Sequence, residues 1–342
     1  FKTLAETLIA RSERGIVAVI LKDNSNTTKT AVYTKESEIV KSHYTATNLA
    51  YLSLVFMGGP SKVIVERVQT SDNISDALER LKNKRWYYLA VPGLGDGETD
   101  TVVEYIKKQR TQYHKTFKAV LPLAAADNEG IINFATDNIK VGAKTYTTAE
   151  FCCRIAGILA GLPINRSATY YTLPEIESIT ESETPDDDVD NGKLILINDG
   201  TKIKIARGVN SLTTATEDKG DDFKKIKIIE AVDMIRDDIR ATFEDEFVGK
   251  VENSYDNKIV FIAAVNKYFK DLANRGVLYD KYDNKAEIDI DETREWLSKA
   301  RDVSSWDDEK IKTANTGTNV FVRASIQIQD AIEDLKFGIY IE

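Results

Sequence analysis

The sequence predicts an α/β (α+β) protein with two mixed-sheet domains, flanking helices and extended terminal strand arms. Three observations carry this. Short β-branched runs alternate with longer amphipathic segments through the first half, a pattern that builds parallel or mixed sheets covered by helices. An acidic stretch without one basic residue interrupts the middle of the chain. The tail then alternates apolar and polar residues with a period of two, as half-buried strands do.

Residues 15–22 (GIVAVILK) are short, β-branched and opened by glycine, so they read as a strand. Residues 46–57 read as a helix stopped by Gly58, Gly59 and Pro60. A strand follows at 62–68, then a helix capped by Asp72 or Ser75 and running to about Lys84. Residues 86–91 form a strand ending at Pro92, 99–113 a helix and 117–121 a strand. Thr147 and Glu150 fit a capping box, in which each side chain satisfies a free backbone N–H at a helix start. Phe151, Ile155, Ile158, Leu159 and Leu162 then make one apolar stripe.

At 175–190, Glu175, Glu177, Glu181, Glu183, Asp186, Asp187, Asp188 and Asp190 repel one another, as solvated linkers do. The expected layout is an arm at 1–14, an α/β domain at 15–174, an acidic linker at 175–192, a second α/β domain at 193–319 and a strand arm at 320–342. The second domain opens with an expected hairpin, 193–197 against 201–206, turned by Asn198, Asp199 and Gly200. Ile228, Val232, Ile235, Ile239, Phe243 and Phe247 mark a long helix. Phe261, Val265, Tyr268 and Leu272 mark another, ending near Gly276; both stripes read as core. In the tail, Val320, Val322, Ala324, Ile326 and Ile328 share one face, and Leu335, Phe337, Ile339 and Ile341 share another. Two strands with one buried face each are expected there. They either close the chain's own sheet or add to a neighbour's.

The 342 residues leave room for two domains of ordinary size, and 42% hydrophobic with 30% charged residues matches soluble globular proteins. A net charge of −9 speaks against general nucleic-acid binding, which needs clustered Lys and Arg, and against an anionic membrane surface. No apolar run approaches the roughly 20 residues of a membrane span, so no membrane insertion is expected. No signal-peptide pattern is seen, and the start at Phe1 rather than Met leads us to expect a few residues upstream. Cys152 and Cys153 are adjacent, a poor arrangement for an ordinary disulfide, so a reduced, intracellular type of chain is expected.

Chemistry is hard to find. His43 and His114 have no metal-ligand spacing, and the cysteines sit in an apolar helix as core residues would. Gly93, Gly95 and Gly97 lie between a strand and a helix, but no Lys-Ser/Thr follows, the spacing is not GxGxxG, and Asp96, Glu98 and Asp100 would repel a phosphate. An EF-hand begun at Asp186 needs Gly and Glu where Asn191 and Ile197 stand. No catalytic residue, cofactor or metal is therefore assigned, and an enzyme is not expected.

Three segments carry a resemblance. Residues 155–173 (IAGILAGLPINRSATYYTL) resemble the "AG…AG…P-N-x-S-x-T-Y" stretch of the tail sheath family of contractile phage tails. Residues 206–214 (ARGVNSLTT), leading into 225–239 with Asp233, are similar to that family's "G-[IV]-N-[ST]-L-T-T" strand and long helix. Residues 322–341 are similar to its closing strand, "D-A-[MI]-E" step and final strand. Order and spacing agree over about 150–342, while the first half fits through fold pattern. The short chain points to compact phage or phage-tail-like bacteriocin members.

The resemblance implies a homo-oligomer of hexameric rings stacked helically around a tail tube protein, with baseplate and tail terminator proteins at the ends. It places the chain in a virion tail or bacteriocin particle assembled in the host cytoplasm. It also implies that the arms complete neighbouring sheets, through Phe1, Leu4 and Leu8 at one end and Val320, Val322, Ala324, Ile326, Ile328, Leu335, Phe337, Ile339 and Ile341 at the other. An extended segment such as 321–342 reaches about 70 Å. The competing readings are an α/β nucleotide-binding enzyme, which lacks a convincing glycine loop, and the sheath of another contractile injection system.

Overall fold

Every side chain from Ile16 to Leu21 is buried, which marks β1 (Ile16–Lys22) as a strand covered on both faces. The computed structural model describes residues 14–95, 97–217 and 219–340. They fall into two compact units, one of residues 14–230 with 331–340 and one of residues 231–330.

The larger unit is built on β1, β2 (Thr30–Tyr33), α1 (Ala46–Phe56), β3 (Lys62–Val68), α2 (Ser75–Leu81), β4 (Tyr88–Ala90), α3 (Glu98–Thr111), β5 (Lys118–Pro122) and β6 (Ile131–Phe134). A second group follows: β7 (Asp137–Val141), β8 (Lys144–Tyr146), α4 (Thr148–Gly161), β9 (Ser178–Thr180), α5 (Pro185–Asp190), β10 (Lys193–Leu194), β11 (Leu196–Asn198) and β12 (Ile203–Ile205). The central sheet has the order β10-β6-β5-β4-β1-β3-β2. Only β2 runs antiparallel to its neighbour; the other pairings are parallel. Two small antiparallel sheets, β8-β7-β9 and β11-β12, complete the unit.

Helix α4 packs on β1, β4 and β5 and against α1. The Thr147–Glu150 capping box forms, with Thr147 N–H donating to Glu150 at 2.9 Å. A Cβ at Gly157 would overlap the Val55 carbonyl, and one at Gly161 the Gly58 carbonyl. The two helices therefore meet backbone to backbone, which requires glycine there. Cys152 and Cys153 lie in the core with no exposed surface, and burial pushes both thiols up.

Helix α6 (Ile226–Glu246) leads into the smaller unit, which holds α7 (Tyr255–Asn274), β13 (Lys285–Ile288), α8 (Ile290–Ser298), α9 (Asp308–Thr313) and β14 (Val322–Ser325). Phe261 packs between Phe243 and Phe247, with ring centroids 5.0 and 5.1 Å away. Tyr268 donates to the buried Asp238 at 2.7 Å. Among the described residues no helix is long and apolar enough to cross a membrane.

Three expectations need correction. The acidic stretch is not a boundary, because it lies inside the larger unit. Its charges find cations elsewhere: Glu175 pairs with Arg154, Glu177 with Lys140 and Asp188 with Lys193. The hairpin is shorter than expected, since Lys193 and Leu194 leave it to pair with β6. The tail forms one strand of four residues rather than two long ones, and residues 335–340 take no regular structure.

Candidate assembly interface

Strand β14 pairs antiparallel with β13 in the register Lys285↔Ser325 to Ile288↔Val322. Beyond it, Leu278 bridges Ile328, and Gln329 N–H donates to the Val277 carbonyl at 2.9 Å. Arg323 steadies the pair through Glu287 and Asp291. Among the described residues these two strands make a sheet of their own. On β13, Asn266 already bonds the N–H and C=O of Ala286. Among the described residues no strand pairs with the other edge of β14, and such an edge accepts an added strand.

The apolar residues expected at this interface differ in exposure along the tail. Val320, Val322, Ile326 and Ile328 are half-buried and Ala324 is exposed. Leu335 is 84%, Phe337 77% and Ile339 74% exposed. Among the described residues, the face of Leu335, Phe337 and Ile339 is left in solvent. Phe1, Leu4, Leu8 and Ile341 lie outside the described residues.

Both arm roots are fastened to the larger unit. Arg14, the first described residue, stacks on the Tyr87 ring at 4.0 Å and pairs with Glu230 at 2.7 Å. Glu230 also meets the buried Lys118 at 2.9 Å and accepts from Tyr88 at 2.7 Å. Burial pushes the Glu230 carboxyl up, but Lys118, Arg14 and the Tyr88 hydroxyl outweigh it and hold it at about 2. At the other end, Glu333 and Asp334 meet Arg207, and Ser167 donates to Glu333. Neither root was legible in the sequence, since their partners lie far apart along the chain.

At the carboxyl ends of the central strands, several charged side chains find their partners within the chain. At the carboxyl ends of β1 and β4, Lys22 pairs with Glu98 at 2.8 Å, and Glu98 accepts the Gly95 N–H. An acidic side chain thus takes the position a phosphate would need. At the carboxyl ends of β1 and β3, Arg67 donates to the carbonyls of Thr28 and His43, and Arg80 pairs with Glu66. No cluster that could hold a metal ion occurs among the described residues.

The family model described as phage tail sheath protein central domain matches residues 68–211, and that of the phage tail sheath C-terminal domain matches 218–342. The tail sheath protein of Clostridium phage phiCD119 is 38% identical over 350 residues, covering 99% of this chain and 97% of its own. Two solved structures share the fold. The sheath tail protein of Desulfitobacterium hafniense has a TM-score of 0.72 at 16% identity, over 84% of this chain and 92% of its own. The contracted helical sheath of the anti-feeding prophage has a TM-score of 0.73 at 11% identity, over 99% and 96%.

Proposed function

This chain belongs to the phage tail sheath family as a contractile tail sheath subunit, and we propose that it polymerises as hexameric rings stacked helically around a tail tube. Baseplate and tail terminator proteins bound the stack, and contraction drives the tube through the target envelope. The particle is a phage tail or a phage-tail-like bacteriocin assembled in the host cytoplasm. The work is structural and calls for no catalytic residue or cofactor.

The observation that supports this reading most is the tail. Leu335, Phe337 and Ile339 stand exposed at the alternate positions that share one face once the segment is extended, beyond a strand whose outer edge is open. Strand addition by a second copy satisfies both the apolar face and the unpaired backbone groups. Such head-to-tail contacts do not close on themselves and so generate helical polymers. The arms at 1–14 and 320–342 act as flexible connections while rigid bodies pivot during contraction. The C-terminal domain faces the tube and the N-terminal α/β domain faces outward; crosslinks joining residues 20–150 to the tube would refute that orientation.

The test is negative-stain electron microscopy of the chain with its upstream residues restored, beside a variant lacking 320–342. Tubes or rings are expected from the first and none from the second. A monomer that also ignores co-expressed tube protein overturns the proposal.

A further inference from the structure

The three stretches that carry the sequence resemblance meet at one point. Ser167 comes from the first, Arg207 from the second and Glu333 from the third. Ser167 Oγ donates to Glu333 Oε1 at 2.7 Å, and Arg207 Nη1 donates to Glu333 Oε2 at 3.1 Å. The other arm of the guanidinium pairs with Asp334. The receiving side is itself fixed. Thr169 N–H donates to Ser167 Oγ at 3.1 Å, and Gly208 N–H donates to Thr169 Oγ1 at 2.9 Å. A Cβ at Gly208 would come within 3.3 Å of Ser167 Oγ, so glycine lets the two segments lie this close. The side chain of Glu333 is only 17% exposed, whereas its neighbour Ile332 is 99% and Leu335 84% exposed.

One polar residue is therefore seated in a prepared socket within a run of apolar residues that stand free. Simple surface pairing does not account for that pattern. An arm meant to pack on its own domain would seat Ile332 and Leu335 and leave the glutamate in water. We propose that Arg207 and Ser167 form a latch that fixes the root of the C-terminal arm on the α/β unit, so that only 335–342 is donated to a second copy of this chain. This rests on the strand-addition reading above. It shortens the reach of the donated segment from the about 70 Å of a free 321–342 to about 27 Å. It also makes the tip travel with residues 14–230, although β14 belongs to the smaller unit. A tip held at its root explores less space, and its ordering on a neighbour costs correspondingly less. Arg207 and Ser167 are positioning residues, which need not touch the neighbour.

The test places spin labels on Lys336→Cys and Lys202→Cys and reads the distance between them in dilute protein. The native Cys152 and Cys153 are fully buried and stay unlabelled. A narrow distance distribution is expected, broadened roughly twofold or more by Arg207→Ala, since chain ends are poorly ordered unless tied down. Glu333→Gln, a change on the arm itself that leaves the fold of the unit untouched, should broaden it too. Tube yield at fixed concentration should fall about tenfold with either variant, the equivalent of about 1.4 kcal/mol. Unchanged distances in both variants overturn the latch, and so does full tube yield from a tail shown to be loosened. Tubes that form without 335–342 overturn strand donation instead, and the distance measurement still decides whether the latch exists.

Discussion

Strand β1 and the tip of the tail are written in similar residues and end in opposite states. Ile16, Val17, Val19, Ile20 and Leu21 are buried, whereas Leu335, Phe337 and Ile339 are mostly in solvent. Strand β1 has β3 on one side, β4 on the other and helix α4 against it. The tip has a charged root and, among the described residues, no strand paired with it. An apolar strand is a demand for partners, and only the surroundings decide whether the same chain meets it. In the first case the result is a folded core, in the second, on the strand-addition proposal, a polymer.

Substitutions can break or sharpen this contrast. Gly157→Val puts methyl groups into the Val55 carbonyl and should cost about 4 kcal/mol or more, read from denaturant unfolding of the larger unit. Lys118→Met takes from Glu230 the buried one of its two cations and should cost about 3 kcal/mol at neutral pH. The same carboxylate makes a pH prediction. Its pKa drops from 4.5 to about 2 on folding, so its contribution is complete above pH 4.5. About 3 kcal/mol is lost as the pH falls from there through 2. Glu230→Gln should remove that segment of the acid-unfolding curve, and a variant curve parallel to the native one would contradict the assignment. Thr147→Ala removes the α4 cap and should cost about 1 kcal/mol by the same denaturant measurement. Phe337→Ser should change monomer stability by less than about 0.5 kcal/mol. It should nevertheless abolish tubes, which makes the smallest effect on folding the largest on assembly.

The elements readable from sequence were those whose signal is local. Residues 16–22 and 62–68 announce themselves by uninterrupted apolar runs, and α4 by its capping box and stripe. Short strands were missed: β2 and β13 have four residues each, too few to show a period before they find a partner. The acidic segment was misplaced because repulsion is a local property, while Arg154 and Lys140 lie far upstream of the carboxylates they neutralise. At the candidate interface, the alternation in the tail was legible and its state was not. Period two says which residues share a face; it cannot say whether this chain or another covers it. The Arg207–Glu333 pair was invisible for a related reason. Both residues sit in stretches that stood out, yet they are 126 positions apart and nothing local links them.

The contact between α1 and α4 bears on how the subunit carries a load. Side chains that interlock can change rotamer and let two helices slide; carbonyls resting on glycine carbons have no such slack. The pair behaves as a stiff strut beneath the central sheet, with little compliance along its length. When a contracting lattice pulls on its subunits, the displacement must be absorbed where bonds are few and solvent is near. On the strand-addition proposal the tips, rather than the helix pair, take up that displacement, and each subunit arrives with its shape intact.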